Sequence, residues 1–290
     1  AIIMVWLTVK PSLRAASCCS VEVVKALSLS ILTALLATGG CADKIDQTAS
    51  SPLESEASST IEAETEPPME LTDRAKELLA QNPDTVGWIS IPETKVDNVV
   101  VQTTDNDYYL STGFDGQPFR AGTVFMDFRD TFGENEKTWS ENIILYGHNM
   151  ADNTMFGSLR RYRQDVEFYK TSPFITFSSN YKDYTYVIFG LIITGGDDTT
   201  SDFLYWNMEE LDTEAEFNQY VDNVKSRNMI ADPVDVRYGD QLLTLSTCYT
   251  DEDNSRFVIV ARRVREEETT DALLQKIQGE SEQTTSAANS

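Results

Sequence analysis

Histidine is almost absent from this 290-residue chain, His148 being the only one. Cysteine is scarce, at positions 18, 19, 41 and 248. No pairing of two cysteines with two histidines exists, which excludes a structural zinc site of that kind. Cations are few, 23 Lys and Arg against 47 Asp and Glu, for a net charge of −24. So acidic a chain lacks the basic footprint that binds a nucleic-acid backbone and the polybasic patch that grips anionic lipid. No apolar run reaches the roughly 20 residues a spanning helix needs, and no internal repeat is evident. What the chain does have is 41% apolar and 10% aromatic residues. That is enough for a sizeable core in one or two domains.

The charge is unevenly placed. Within residues 1–40, Lys10, Arg14 and Lys25 meet one acid, Glu22, and the chain turns strongly anionic after them. This is the polarity of an exported protein. Lys25 leads into an apolar stretch, Ala26–Ala37, of signal-peptide length, which closes on Thr38-Gly39-Gly40-Cys41. Small residues before a cysteine resemble a bacterial lipoprotein cleavage site, making Cys41 a candidate for lipidation; an uncleaved signal anchor with an incidental Cys41 is the other reading. Both place the body outside the cytoplasm, tethered to the outer face of the membrane. Residues 1–20 begin without Met and read as upstream sequence outside the fold. The organisation expected is an anchor or lipoprotein-like segment over 1–41, a disordered acidic tether over 42–70, a folded body over 71–264 and a polar tail over 265–290. The tether is too poor in large apolar groups to offset its ordering entropy. In the tail, Ala272, Leu273, Leu274 and Ile277 can form a short helix.

Within the body, Leu71–Gln81 has helical periodicity with Thr72 or Asp73 as cap. Eight β-branched and aromatic runs follow, punctuated by turn residues: 86–91, 96–102, 122–127, 142–146, 174–178, 184–194, 241–247 and 257–264. Their spacing predicts a mostly β fold, an antiparallel barrel or sandwich. Helical insertions are expected at Met155–Tyr169 and at Thr213–Asn228, the latter burying Phe217, Tyr220, Val221 and Val224.

Apart from the N-terminal segment, Cys248 is the one thiol. It is therefore either inert core or a reactive group. Its strand puts Cys248 on the face of Ser246 and Thr244, a polar strip that points to a groove. Arg256 begins the next strand after a short loop, so a hairpin sets it opposite Cys248. There it would favour thiolate and an oxyanion, unless it is a rim residue pairing with Asp251 or Asp253. His148 follows an apolar strand directly, where catalytic groups gather, although a surface histidine is the plainer reading.

Tyr146-Gly147-His148-Asn149-Met150, Leu243-Thr244-Leu245-Ser246-Thr247-Cys248 and Arg256 together resemble the signature of the sortase family. Asn82-Pro83-Asp84, Val100-Val101-Gln102, Asp105-Asn106, Tyr109-Leu110 and Met155-Phe156-Gly157-Ser158-Leu159 extend that resemblance over residues 71–264. The helix before the cysteine strand and the Cys-to-Arg spacing are most like class B sortases. Asp97-Asn98 replaces the Tyr-Pro often seen before Val-Val-Gln. The resemblance implies an eight-stranded sortase-type β-barrel with an N-terminal helix and a helix before the cysteine strand. It further implies a cell-surface cysteine transpeptidase. Cys248 would form a thioester with a Pro/Thr-containing sorting motif, His148 would move protons, and Arg256 would hold substrate and oxyanion. Asn106, Leu110, Tyr146 and Ser246 would line the peptide groove; turn capping for Asn106 and barrel packing for Leu110 and Tyr146 are the plainer readings. The partners implied are surface proteins with a C-terminal sorting motif, and a peptidoglycan cross-bridge or pilin amine as acceptor. No metal or organic cofactor is needed, and the acidic clusters at Asp197-Asp198 and Asp251–Asp253 read as solvated loops rather than calcium sites. Papain-like enzymes place Cys before His, and L,D-transpeptidases carry Ser-His-Gly-Cys, neither of which is found here. The alternative is a non-catalytic acidic surface lipoprotein that uses a sortase-like barrel to bind a ligand.

Overall fold

The computed structural model of the chain describes residues 69–288 apart from 198, 200, 208–210, 232, 233 and 250–253, and for Cys248, Tyr249 and 280–288 it describes the backbone. Cys41, the segment around it and the tether as far as residue 68 lie outside the described residues, as do Asp198, Asp251 and Asp253.

Helix α1, Asp73–Gln81, is capped by the Thr72 hydroxyl, which accepts from Ala75 N at 3.1 Å. Asn82 ends it and joins two stretches of the sequence pattern: its Nδ2 donates to Tyr109 Oη at 2.8 Å, and that hydroxyl donates to Asp84 at 2.8 Å. The loop holding Asn106 and Leu110 is thereby tied to the start of the barrel.

Strands β1 (Thr85–Ser90), β2 (Asp97–Val101), β3 (Val124–Met126), β4 (Asn142–Tyr146), β5 (Phe174–Ser179), β6 (Asp183–Gly195), β7 (Leu242–Tyr249) and β8 (Ser255–Arg263) close into a barrel. Their order is β1-β2-β3-β4-β7-β8-β6-β5. The expectation of antiparallel pairing fails at two seams, because β2 pairs β3, and β4 pairs β7, in parallel. A parallel neighbour requires a long crossover, and between β4 and β7 the chain supplies one through β5, β6 and a helix.

The helix expected over Met155–Tyr169 is instead three short pieces: a 3₁₀ turn at Gly157–Leu159, α2 (Arg160–Gln164) and α3 (Phe168–Thr171). Asp165 makes the break, taking an extended conformation at the end of α2 while its carboxylate accepts from Glu167 N at 3.1 Å. Helix α4, Glu214–Arg227, carries a capping box between Thr213 and Glu216 and buries Phe217, Tyr220, Val221 and Val224. It packs against β6 at Gly190, where a Cβ would stand 2.4 Å from Val224 Cγ1. The β6–β8 register shifts beside Gly190, and Asn228 bonds the backbone there, donating to Phe189 O at 2.8 Å and accepting from Leu191 N at 2.9 Å.

The tail is more than a solvated segment. Helix α5 spans Thr270–Ala288 and buries Leu273 and Ile277 in the main core. Just before it, Glu268 takes both ends of the Arg262 guanidinium, at 2.6 and 2.7 Å, and Arg262 is fully buried. Burial acts to raise the Glu268 pKa, but hydrogen bonds from Arg262 and the Arg265 backbone outweigh it and hold the carboxyl below its ordinary value. Such a group stabilises the fold above the unfolded-state pKa of about 4.3, and that contribution is lost as pH falls through the lower folded value. Glu268→Gln should therefore cost about 1.5–3 kcal/mol at pH 7, since the buried guanidinium loses its bidentate carboxylate and keeps Asp240 at 3.8 Å. Urea unfolding at pH 7 and pH 3.5 checks this: the gap between wild type and variant should shrink at the lower pH.

Candidate active site

The site grows out of backbone register. The parallel ladder sets Tyr146 of β4 beside Ser246 of β7, and Gly147 N still bonds Ser246 O at 3.2 Å. His148 is thus the first residue to leave that seam. On the other side of β7, the antiparallel ladder puts Cys248 opposite Arg256 of β8, which corresponds to a Cα separation of about 4.5–5.5 Å. His148 thus leaves β4 at the same end of the barrel at which the β7–β8 hairpin pairs Cys248 with Arg256.

His148 Nε2 lies 2.7 Å from Leu110 O. A carbonyl only accepts, so Nε2 carries the proton and Nδ1 is the basic nitrogen of the neutral ring. The turn beneath is braced. Phe156 N donates to His148 O at 3.0 Å, and a Cβ on Gly147 would stand 2.7 Å from the Phe156 ring. Arg160 donates to Gly157 O at 2.7 Å, to Asn149 Oδ1 at 2.8 Å and to Met150 O. Glycine at 147 is required here by close packing.

Arg256 donates to Ser255 O at 3.1 Å, and no carboxylate among the described residues pairs with it. Its guanidinium lies against Gly196, where an added Cβ would come within 2.6 Å of Nη1 and 2.7 Å of Asn254 O.

One cleft of about 250 Å³ gathers these groups. Asn106, Leu110, Tyr146, His148, Ser246 and Arg256 all line it. Leu110 is 41% exposed, so it sits on the rim rather than packing the barrel. Asn106 does not merely cap its own turn: its amide bonds Asp127 Oδ2 at 2.9 Å and Phe128 N at 3.0 Å. Tyr146 packs against Phe125, with ring centroids 5.3 Å apart and planes tilted by 32°, and donates to Asp127 at 2.9 Å. Burial first, and the Asp127 charge second, push the Tyr146 phenol far above its ordinary pKa, so it stays neutral. The polar strip on β7 is not an open groove along its length. Thr244 and Ser246 are buried and bonded to tyrosine hydroxyls, Tyr220 at 2.8 Å and Tyr205 at 2.6 Å. The strip marks where α4 and the segment before it cross the strand, and only its far end reaches the cleft.

Phe125, Gly196, Tyr205, Trp206 and Thr247 also line the cleft, and sequence reasoning did not single them out for it. Tyr205-Trp206 belongs to an aromatic-rich stretch beside an acidic loop, which reads as core. Among the described residues, no group of three His, Cys, Asp or Glu is placed to hold a metal ion.

Residues 89–264 match the family model of the sortase domain. The chain belongs to the sortase family. Sortase B of Listeria monocytogenes serovar 1/2a is 36% identical over 197 residues, covering 67% of this chain and 76% of the relative. Sortase B of Staphylococcus aureus is 33% identical over 186 residues, 63% of this chain and 72% of the relative. Among solved structures, a Staphylococcus aureus sortase B–substrate complex superposes with a TM-score of 0.60 at 31% identity, covering 68% of this chain and 87% of that one. Clostridium perfringens sortase B gives 0.59 at 29% identity, covering 66% and 99%. The protein is accordingly a cysteine transpeptidase of the sortase B kind, built on the eight-stranded mixed barrel of that family.

Because the Gly196 backbone is in contact with the Arg256 guanidinium, Gly196→Ala should displace that side chain while leaving the barrel folded. Should Arg256 serve the reaction, peptide turnover falls by roughly 100-fold, the scale set by a displacement of about 1 Å in a catalytic site. A crystal structure of the variant together with its turnover checks the displacement and its consequence.

Proposed function

We propose that Cys248, His148 and Arg256 carry the transpeptidation, with Asn106, Leu110, Tyr146 and Ser246 lining the groove for the donor peptide. The observation that supports this reading is that His148 and Arg256 line one cleft with those four, while the β7–β8 ladder pairs the Cys248 backbone with Arg256. The Cys248 thiolate attacks the carbonyl after Thr in the sorting motif; the C–S bond forms, the scissile C–N bond breaks, and a thioester remains. The departing amine takes a proton from His148. Since Nε2–H is committed to Leu110 O, Nδ1 takes the Cys248 thiol proton as the thiolate forms and then gives that proton to the departing amine. Nδ1 then removes a proton from the incoming amine, which forms the new C–N bond and releases the thiolate. Arg256 offers a planar fork of donors to the oxyanion in both steps.

The donors are surface proteins ending in a Pro/Thr-containing sorting motif, a reading supported by the relative solved as a sortase B–substrate complex. The acceptor is an amine of the peptidoglycan cross-bridge or of a pilin. The work is done outside the cytoplasm, with the chain held at the outer membrane face through residues 1–41, by lipid on Cys41 or by an uncleaved apolar segment. Among the described residues no helix is long and apolar enough to cross a membrane.

Cys248→Ala should abolish cleavage of every peptide the wild type cuts while the barrel still folds; residual turnover by the pure variant would remove the cysteine from the mechanism. Arg256→Lys separates an oxyanion donor from a rim charge. Loss of an oxyanion donor costs about 2.7–4 kcal/mol, near 100- to 1,000-fold in turnover, whereas an exposed ion pair is worth about 0–1 kcal/mol. A large loss with an unchanged pH profile of Cys248 alkylation is expected. Near-normal turnover would make Arg256 a rim residue.

A further inference from the structure

We propose that Asp127 is the positioning residue of the groove: its buried carboxylate fixes Asn106 as a hydrogen-bond donor and Tyr146 as an acceptor toward the bound peptide. Through Arg129 the same carboxylate ties the Tyr205–Trp206 wall to them. This rests on the peptide-transfer reading above and adds to it a residue that does not line the cleft.

Asp127 lies directly after β3 and is fully buried. Its carboxylate takes five hydrogen bonds. Oδ1 accepts from the Arg129 backbone at 3.0 Å and from Arg129 Nε at 2.9 Å. Oδ2 accepts from Arg129 Nη2, Asn106 Nδ2 and Tyr146 Oη, each at 2.9 Å. The bidentate guanidinium compensates the desolvation of the charge, so the carboxylate stays ionised. Arg129 meanwhile extends to the opposite wall, donating to Asn207 Oδ1 at 3.3 Å and to Trp206 O.

The consequence for the groove is a fixed polarity. Asn106 Oδ1 is occupied by Phe128 N–H at 3.0 Å and one Nδ2–H by Asp127. What Asn106 can still offer a ligand is its second N–H. Tyr146 has committed its only proton to Asp127, so its oxygen can only accept. An extended peptide presents carbonyls and N–H groups in alternation, and the pair matches one of each. If the carboxylate served stability alone, its partners would have no reason to be cleft residues; Asn106 and Tyr146 both line the cleft, and Arg129 bonds the backbone of a third lining residue, Trp206.

The test is Asp127→Asn, which keeps the volume but puts an NH₂ group where an acceptor is needed, so at least one groove group must turn. With a sorting-motif peptide, KM should rise roughly 10-fold, the upper scale of one lost neutral hydrogen bond, while kcat and the rate of Cys248 alkylation by iodoacetamide stay within about threefold. Asp127→Asn should cost less in an Asn106→Ala background than alone, since part of its effect acts through the Asn106 contact. Should Asp127→Asn fail to fold, Arg129→Lys, which keeps the charge and loses the fork, should raise KM in the same way. An unchanged KM, strict additivity, or alkylation falling in step with KM would each overturn the proposal. A substrate-free readout keeps it distinct from the transfer reading. In ¹⁵N-labelled protein the Asn106 side-chain amide should be protected from solvent exchange in the wild type and lose that protection in the variant. If wild type turns over no sorting peptide, the transfer reading fails, while protection that persists in the variant overturns the role of Asp127 by itself.

Discussion

The parallel pairing of β4 with β7 is the constraint on which the rest depends. Its ladder runs from Asn142 beside Leu242 to Tyr146 beside Ser246, and both strands are walled by core: Ile143, Ile144, Leu145, Leu242, Leu243 and Leu245 are all fully buried. A slip of one residue would turn every side chain of one strand to the opposite face. Both faces of these strands are apolar, so it is the buried polar pairs, Thr244 with Asn142 at 2.8 Å and Ser246 with Tyr205 at 2.6 Å, that lock the register, and the register decides that the chain leaves β4 at His148 next to the end of β7. Arg256 is placed by the same logic across the β7–β8 ladder. The site is precise because it is built at the ends of rigid strands, and the loops only close its walls.

A second constraint is electrostatic. The chain is short of cations, and several of the arginines it has are turned inward onto carboxylates. Arg262 meets Glu268, Arg265 meets Asp240, Arg263 meets Glu136 and Arg129 meets Asp127. Arg265–Asp240 and Arg263–Glu136 bridge distant parts of the chain that apolar packing would join without direction. At Arg262 the pairing ties β8 to the approach of α5; at Arg129 it ties the end of β3 to a cleft wall. Buried ion pairs are weak sources of stability but good sources of geometry.

Much of this was legible in the sequence, for identifiable reasons. Residues 142–146 read as a strand because an unbroken apolar run ends in a glycine turn, and α4 read as a helix because Phe217, Tyr220, Val221 and Val224 share a face. Cys248, His148 and Arg256 stood out because their residue types are rare here or sit at strand ends. The direction of pairing was not legible, since a short apolar strand looks the same beside a parallel or an antiparallel neighbour. The break at Asp165 was hidden because its side-chain hydrogen bond to Glu167 N competes with a helical periodicity that continues through it. Asp127 and Arg129 were invisible as functional residues because an acid and a base two apart in an acidic chain look like ordinary surface charge; only burial reveals what they hold. In the 265–290 tail, Ala272, Leu273, Leu274 and Ile277 already suggested a short helix; that Leu273 and Ile277 dock it on the core was not legible, because the ion pair that sets its approach lies outside that pattern.

The central claim is that peptide transfer passes through an acyl group on Cys248. It is tested most directly by quenching the wild-type protein in acid during turnover of a sorting-motif peptide and measuring its intact mass. The account predicts a mass increment equal to the acyl half of the peptide, mapped by digestion to Cys248 and released by hydroxylamine as the peptide hydroxamate. An acyl group mapped to any other residue, or turnover that continues with no hydroxamate formed in hydroxylamine, would contradict it.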